Sequence, residues 1–426
     1  MKPFWRTHGK VLSLLAALAV LAYLPLLSQP LLQDDYPNIE QARLYGPVSG
    51  WPAMLSDFQF RYRATSWVLT YWIERLFGVA PLAFYLVSIA LHIGNTWLVY
   101  ALGSWKVIGW PVSTGAAGFF AVYEGHQEAV MWYSASNELL LFLFGGLTLL
   151  FWVRFAEQQG NISCYLASLF CFVLALLSKE SAVVIVPLLC LPLLNSPVDY
   201  RRWVWLLPFV ALTLGEMGLI FSGLSESFRA SDGSFSLDAP FWITLPTSLA
   251  RLLWPWGLIA LVATRLCRGR EYGRLHLISF FWMGIALLPY SFLTYMRFVP
   301  SRQTYLASLG LAWIVGSGFL AFHAKVAPTH RKAVLATALL ALSFNAGLLW
   351  TQKRRQFLER AAPTEALLAL AQNAEGNIYV RCYPDARIVA EAAVRLRTEK
   401  PASILLWPEE AADRPQAAAD FCWKRD

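Results

Sequence analysis

Long apolar runs separated by short polar loops set the pattern of this chain. They cover residues 11–28, 81–103, 107–122, 139–153, 162–177, 182–194, 203–221, 240–262, 275–293, 305–322 and 333–350. Stretches of this kind fit helices crossing a hydrocarbon core about 30 Å thick. Residues 64–77 differ. There apolar positions recur at helical spacing between polar ones, which predicts a helix lying along a membrane interface. The pattern therefore predicts an all-α polytopic membrane protein with about eleven transmembrane helices.

The loops give an orientation. Lys2, Arg6 and Lys10 precede the first run, and Lys106, Arg154, Arg201, Arg202, Arg265, Arg268, Arg270, Arg274, Lys325, Arg331 and Lys332 occupy alternate loops. Basic loops stay on the cytoplasmic side, so the N-terminus is expected inside and residues 351–426 outside. The first run lacks a small-x-small cleavage signature near Ser28 and reads as a retained anchor. The same orientation places Asp34-Asp35, His126-Gln127-Glu128, Lys179-Glu180, Arg297 and Arg302 on one outer face.

Composition agrees with a membrane protein. Hydrophobic residues form 57% of the 426 positions and charged ones only 15%, too apolar for a soluble chain. The net charge of +8 sits in inter-helix loops, where orientation requires it, and does not point to nucleic acid. The tail is of another kind. Residues 361–373 and 386–396 read as helices, and 377–382 and 402–407 as strands. The expected division is a membrane domain over 1–350 and a small α/β extracytoplasmic domain over 351–426. Cys382 and Cys422 are the two cysteines of that tail, and an oxidising compartment makes a bridge between them possible. The other four show no metal or redox spacing.

Acids and cations at an outer membrane face suit transfer of a sugar from a polyprenyl phosphate. An acceptor hydroxyl needs a general base, for which Asp34 is the candidate, with Asp35 orienting it or holding a metal. A departing lipid phosphate needs fixed cations, for which Lys179, Arg302 and Arg297 are candidates. Lys179-Glu180 interrupts an apolar stretch, and ionisable groups at such depth read as functional; the competing reading is a pair neutralising itself. Arg63, His126, Glu128, Glu180 and Tyr305 are candidate substrate contacts. The sequence names no cofactor; a divalent metal is possible, with Asp35 and Glu128 as its candidate ligands.

The motifs resemble the GT-C superfamily of polyprenyl-phosphate-sugar-dependent glycosyltransferases. The branch resembled is the bacterial relatives of the transmembrane and tetratricopeptide-repeat-containing mannosyltransferases, without the repeats. The resemblance rests on Asp34-Asp35 with Ile39, Arg63, Phe77-Gly78 with Tyr85 and His92, His126-Gln127-Glu128-Ala129-Val130 with Trp132, Leu177-Ser178-Lys179-Glu180-Ser181, and Arg302 with Tyr305, Ser308 and Gly310. Departures are Ala64 in place of Pro, Tyr123-Glu124 in place of His-Pro, Ser136 in place of Arg, and Gln303 in place of an aromatic residue. The resemblance implies an inverting transferase of a bacterial inner membrane whose first acid is the base. Its partners would be a polyprenyl-phosphate-linked sugar, a glycan, lipid or protein acceptor, and membrane lipids. A lipid-linked sugar flippase and a non-catalytic envelope assembly protein are the alternative classes.

Overall fold

The computed structural model describes residues 4–57, 63–157, 161–194, 201–223, 233–267, 271–294, 297–398, 400–408 and 419–423. Arg268 and Arg270 of the most basic loop lie outside them. The longer helices of the first half are α1 (Phe4–Tyr23), α2 (Asp35–Tyr45), α3 (Ala64–Phe77), α4 (Pro81–Ala101), α5 (Trp110–Val122), α6 (Ser136–Glu157), α7 (Ile162–Leu176) and α8 (Ile185–Leu194). Those of the second half are α9 (Leu207–Ser222), α10 (Phe241–Leu253), α11 (Trp256–Cys267), α12 (Gly273–Leu287), α13 (Ser308–Lys325), α14 (Arg331–Leu348), α15 (Arg354–Asn373) and α16 (Arg387–Thr398).

Each predicted apolar run holds a helix, and the interfacial helix spans the predicted residues. Two predictions need correction. The run 240–262 is not one continuous helix, because the chain breaks at Trp254-Pro255 and α10 and α11 meet at 71°. Pro255 brings no N–H to continue the helix ladder. The run 182–194 opens with a 3₁₀ turn, Glu180–Val184, and leaves α8 only 10 residues long. At 1.5 Å per residue that is about 15 Å, half a bilayer core. Among the described residues, six helices are long and apolar enough to cross a membrane, or seven if the bent pair is one span. The chain is a multi-pass membrane protein, and the apolar side chains left exposed on its helices, such as Leu86, Phe170, Leu214 and Leu340, face lipid.

Close packing of backbones builds the centre of the bundle. α13 lies against both α5 and α11. A Cβ at Gly316 would overlap the Val112 carbonyl, and one at Gly318 would overlap Ala260. Small residues at these crossings let the helices approach, since lipid leaves van der Waals contact as the main attraction between them. Four tryptophans, Trp105, Trp152, Trp282 and Trp313, fill the space between helices and are almost wholly buried.

The tail is tied into the fold at both ends. α14 does not stop at the end of the last apolar run but continues through a π turn, Leu349–Lys353, into α15. The tail helix therefore begins at Arg354, earlier than the predicted residue 361, and no helix-terminating glycine or proline lies between the two. Beyond it, β1 (Ile378–Cys382), β2 (Leu405–Leu406) and β3 (Ala419–Cys422) form a parallel sheet in the order β2-β1-β3. The first two strands were legible; β3 was not. α16 packs on α2, where Arg395 grips Glu40 through two bonds of 2.5 and 2.7 Å. Arg397 donates to the Val79 carbonyl at 3.0 Å.

Cys382 and Cys422 face each other across β1 and β3 with Cα atoms 4.5 Å apart and are bridged. The bridge closes a loop of 40 residues, worth about 3–4 kcal/mol by the chain-entropy relation. Replacing both cysteines by serine should therefore expose the tail sheet to limited proteolysis at temperatures where the parent resists. Equal resistance in the two proteins would mean that the tail holds without its bridge.

Candidate functional site

The chain leaves α1 through a 3₁₀ turn and enters α2 at Asp34-Asp35. Gln33, just before them, has φ of +32°, a conformation that costs a non-glycine residue energy. The two acids then diverge. Asp35 is wholly buried: one oxygen accepts from the Leu32 N–H at 2.8 Å, the other from the Ser134 N–H at 2.7 Å and the Ser134 hydroxyl at 2.6 Å. Burial pushes its carboxyl up to about 7, against the opposing pull of these three donors. Asp34 occupies the N-cap position of α2 but makes no capping bond, and its side chain is exposed. The surrounding protein is dense enough to raise its affinity for a proton, while Arg302, Arg360 and Arg63 pull the other way.

Two of those cations are gathered by one aromatic ring. The guanidinium of Arg302 lies 4.7 Å from the Trp132 ring centre and that of Arg360 lies 4.5 Å from it. Glu128 fixes the turn that carries Arg302, accepting from the Ser301 hydroxyl at 2.8 Å and the Arg302 N–H at 3.2 Å. Its second oxygen is 4.0 Å from Arg360. Arg360 also donates to the Gln33 amide oxygen at 2.6 and 3.2 Å, and Gln33 donates in turn to Asp385 at 2.5 Å. Arg63 is paired with Glu180 at 3.1 Å, linking the start of α3 to the Lys179-Glu180 turn.

Several sequence candidates stand elsewhere. Lys179 does not pair with Glu180; it is buried against Glu138, beneath the Tyr290 ring at 5.0 Å, and Tyr290 donates to the other Glu138 oxygen at 3.2 Å. An ammonium so enclosed presents no face to a ligand at Asp34. His126 and Tyr305 are likewise buried below the site. His126 Nε2 is 2.7 Å from the Ser308 hydroxyl, while the Tyr305 hydroxyl is 2.7 Å from His92 Nδ1 and accepts from Asn95 at 3.3 Å. Together they form a packed aromatic floor. Arg297 is exposed, and no ion pair or hydrogen bond joins it to another described residue. Asp35 and Glu128, the possible metal ligands, spend their oxygens on separate loops. Among the described residues no three His, Cys, Asp or Glu side chains gather as a ligand set.

Sequence reasoning missed Arg360, Gln33, Asp385 and Glu138. Arg360 lay in a tail read as a separate domain. The signal available for it was a polar helix continuing the last apolar run without a breaker. Glu138 was read as the last residue of an outer loop over 123–138, whereas it lies in the first turn of α6, and nothing in the sequence linked it to Lys179.

No family model matches the sequence, and no curated protein matches it. The fold does match solved structures. ArnT from Cupriavidus metallidurans in the apo state aligns with a TM-score of 0.57 at 13% identity, over 94% of this chain and 86% of that one. The same protein bound to undecaprenyl phosphate aligns with a TM-score of 0.53 at 13% identity, over 97% and 90%. The archaeal oligosaccharyltransferase AglB from Archaeoglobus fulgidus, in complex with an inhibitory peptide and a dolichol-phosphate, aligns with a TM-score of 0.50 at 12% identity. That match covers 96% of this chain and 65% of AglB. The apolar bundle, aligned over nearly its whole length, shares its fold with ArnT.

Proposed function

We propose that this chain transfers a sugar from a polyprenyl phosphate to an acceptor hydroxyl, with inversion, at the extracytoplasmic face of a bacterial inner membrane. The acceptor is a glycan, lipid or protein. One observation carries the reading: Asp34 is an exposed carboxylate in the field of three guanidinium groups, while its neighbour Asp35 is locked into the fold. The likeness to ArnT with undecaprenyl phosphate and AglB with dolichol-phosphate supports a lipid phosphate as the donor's carrier.

The roles follow from placement. Asp34 takes the proton of the acceptor hydroxyl as its oxygen attacks the anomeric carbon from the side opposite the phosphate. The bond between that carbon and the phosphate oxygen breaks, and its electron pair leaves with the lipid phosphate. Negative charge grows there, and Arg302 and Arg360, held in place by Trp132 and Glu128, compensate it with Arg63. The phosphate contact expected of Lys179 passes to these arginines in this reading. Lys179 and Glu138 instead brace the bundle, a fixed pair in a low-dielectric interior. Glu180 orients Arg63.

Asp34→Asn keeps the shape of the side chain and removes its basicity. Transfer should fall by about a hundredfold or more with donor binding intact. Near-normal transfer with the native donor and acceptor would reject Asp34 as base. In the parent protein the acid limb of kcat/KM should report Asp34. Because its proton affinity is raised, activity should be lost on acidification at a pH above the ordinary carboxylate value of about 3.9.

The cations separate by readout. Arg302→Ala and Arg360→Ala should each weaken binding of undecaprenyl phosphate by about tenfold or more, as expected for lost charge-assisted contacts. Lys179→Met should instead lower the thermal midpoint, because it strands the Glu138 carboxylate, a loss of about 3–5 kcal/mol for a buried pair. Unchanged lipid-phosphate affinity in both arginine variants would remove them from the clamp.

Orientation has its own test. A cysteine introduced at Glu375 should react with an impermeant maleimide from outside intact cells, and one at Thr329 should not; both positions are exposed. The reverse pattern would invert the topology.

A further inference from the structure

The tail contributes a carboxylate that the mechanism above does not use. Asp385 lies between β1 and α16, and its Oδ1 accepts from the Gln33 side chain at 2.5 Å. Its Oδ2 is buried without a hydrogen-bond partner. A buried carboxylate oxygen left unpaired costs free energy, so an arrangement that keeps one calls for a donor from elsewhere. The neighbourhood limits what that donor is. Gln33 is already engaged on both ends, by Arg360 at its oxygen and by Asp385 at its nitrogen. The backbone at Gln33 is held at φ of +32°, one residue before Asp34. Asp385 also lies close enough to Asp34 to raise that carboxyl's proton affinity. A second negative charge beside the base would hinder an anionic ligand at this end of the site. It suits a neutral ligand rich in hydroxyl donors.

We propose that Asp385 accepts a hydrogen bond from a sugar hydroxyl at the Asp34 site, making the tail a specificity-determining wall of that site. The inference rests on the glycosyl-transfer reading. It also divides the site by charge. The phosphate end is lined by Arg302, Arg360 and Arg63, and the sugar end by Asp34 and Asp385. Gln33 joins the two, because it binds Arg360 through one atom of its amide and Asp385 through the other. Such a link explains why a residue in a costly backbone conformation stands there: its side chain sets the spacing between the clamp and the sugar wall. Asp385 touches the sugar in this arrangement, whereas Gln33 acts only through its neighbours and is a positioning residue.

The test uses the full-length protein purified in detergent, with Asp385→Asn and Asp385→Ala beside the parent. Asparagine still accepts from Gln33 but presents an N–H₂ where Oδ2 stood. One arm measures affinity for a panel of undecaprenyl-phosphate-linked hexoses and pentoses, with undecaprenyl phosphate alone as the sugarless control. A second arm measures affinity for the corresponding methyl glycosides, which carry no phosphate. The parent should bind at least one sugar-bearing probe more tightly than its sugarless control, or bind a glycoside directly. Both variants should lose about tenfold or more of that sugar-dependent affinity. Loss in the first arm assigns the contact to the transferred sugar, and loss in the second assigns it to the acceptor. Deoxy forms of the responding sugar should show one position whose removal weakens the parent and leaves Asp385→Asn unchanged. A merely structural residue would not produce that selectivity.

Sugar-dependent affinities within about twofold of the parent in both variants would overturn the proposal. So would an equal loss for undecaprenyl phosphate itself, because that points to a collapsed site. Failure of the parent to bind any lipid phosphate would overturn the transferase reading and this inference with it. Binding of lipid phosphate without any sugar preference would overturn this inference alone.

Discussion

The buried carboxylate of Asp35 is the constraint from which the site follows. Three donors converge on it, two from the Ser134 turn and one from the chain just before α2. Removing a charge-bearing group from water is expensive unless such donors meet it, and burial leaves its carboxyl near 7 even so. The bonds nail the start of α2 to the turn that opens α6. Residues adjacent at a helix start point in different directions, so an inward Asp35 turns Asp34 outward. The accessible carboxylate exists because its neighbour is not accessible.

A second set of contacts brings charge from distant parts of the chain to that carboxylate. Arg302 comes from the turn before α13, Arg360 from the tail helix, and Trp132 from the loop before α6. Each guanidinium rests on the same indole, which orients both without neutralising either. Glu128 then holds the Arg302 turn by its backbone and leaves the guanidinium directed elsewhere. Two further ion pairs, Lys179 with Glu138 and Arg63 with Glu180, lock helices around the site instead of pairing within one motif.

The uninterrupted passage from α14 into α15 gives the tail its place. A continuous helix keeps a rigid relation to the bundle, and here it delivers Arg360 to Gln33, beside Asp34. The docking of α16 on α2 through Arg395 and Glu40 closes the arrangement from the other side. The tail is thus built into the site and not appended to it.

The sequence by itself determined what depends on local pattern. Apolar length fixed where helices form, basic loops suggested their direction, and the amphipathic spacing of residues 64–77 gave α3 with the ends it has in the structure. It also singled out Asp34-Asp35, Arg302 and Glu128, because charged groups are rare in such a chain. Pattern alone could not tell Asp34 from Asp35, and only the family resemblance favoured the first acid. In the structure the difference rests on Ser134, far along the chain, and on which side chain the packing excludes from water. Nor could pattern separate Lys179 from Arg302 as a ligand contact. That distinction depends on Glu138, which reaches Lys179 only once α6 and the turn after α7 lie together. Arg360 and Asp385 were invisible for the same reason. Charge attracts charge through space, and only the tertiary structure decides which charges are neighbours.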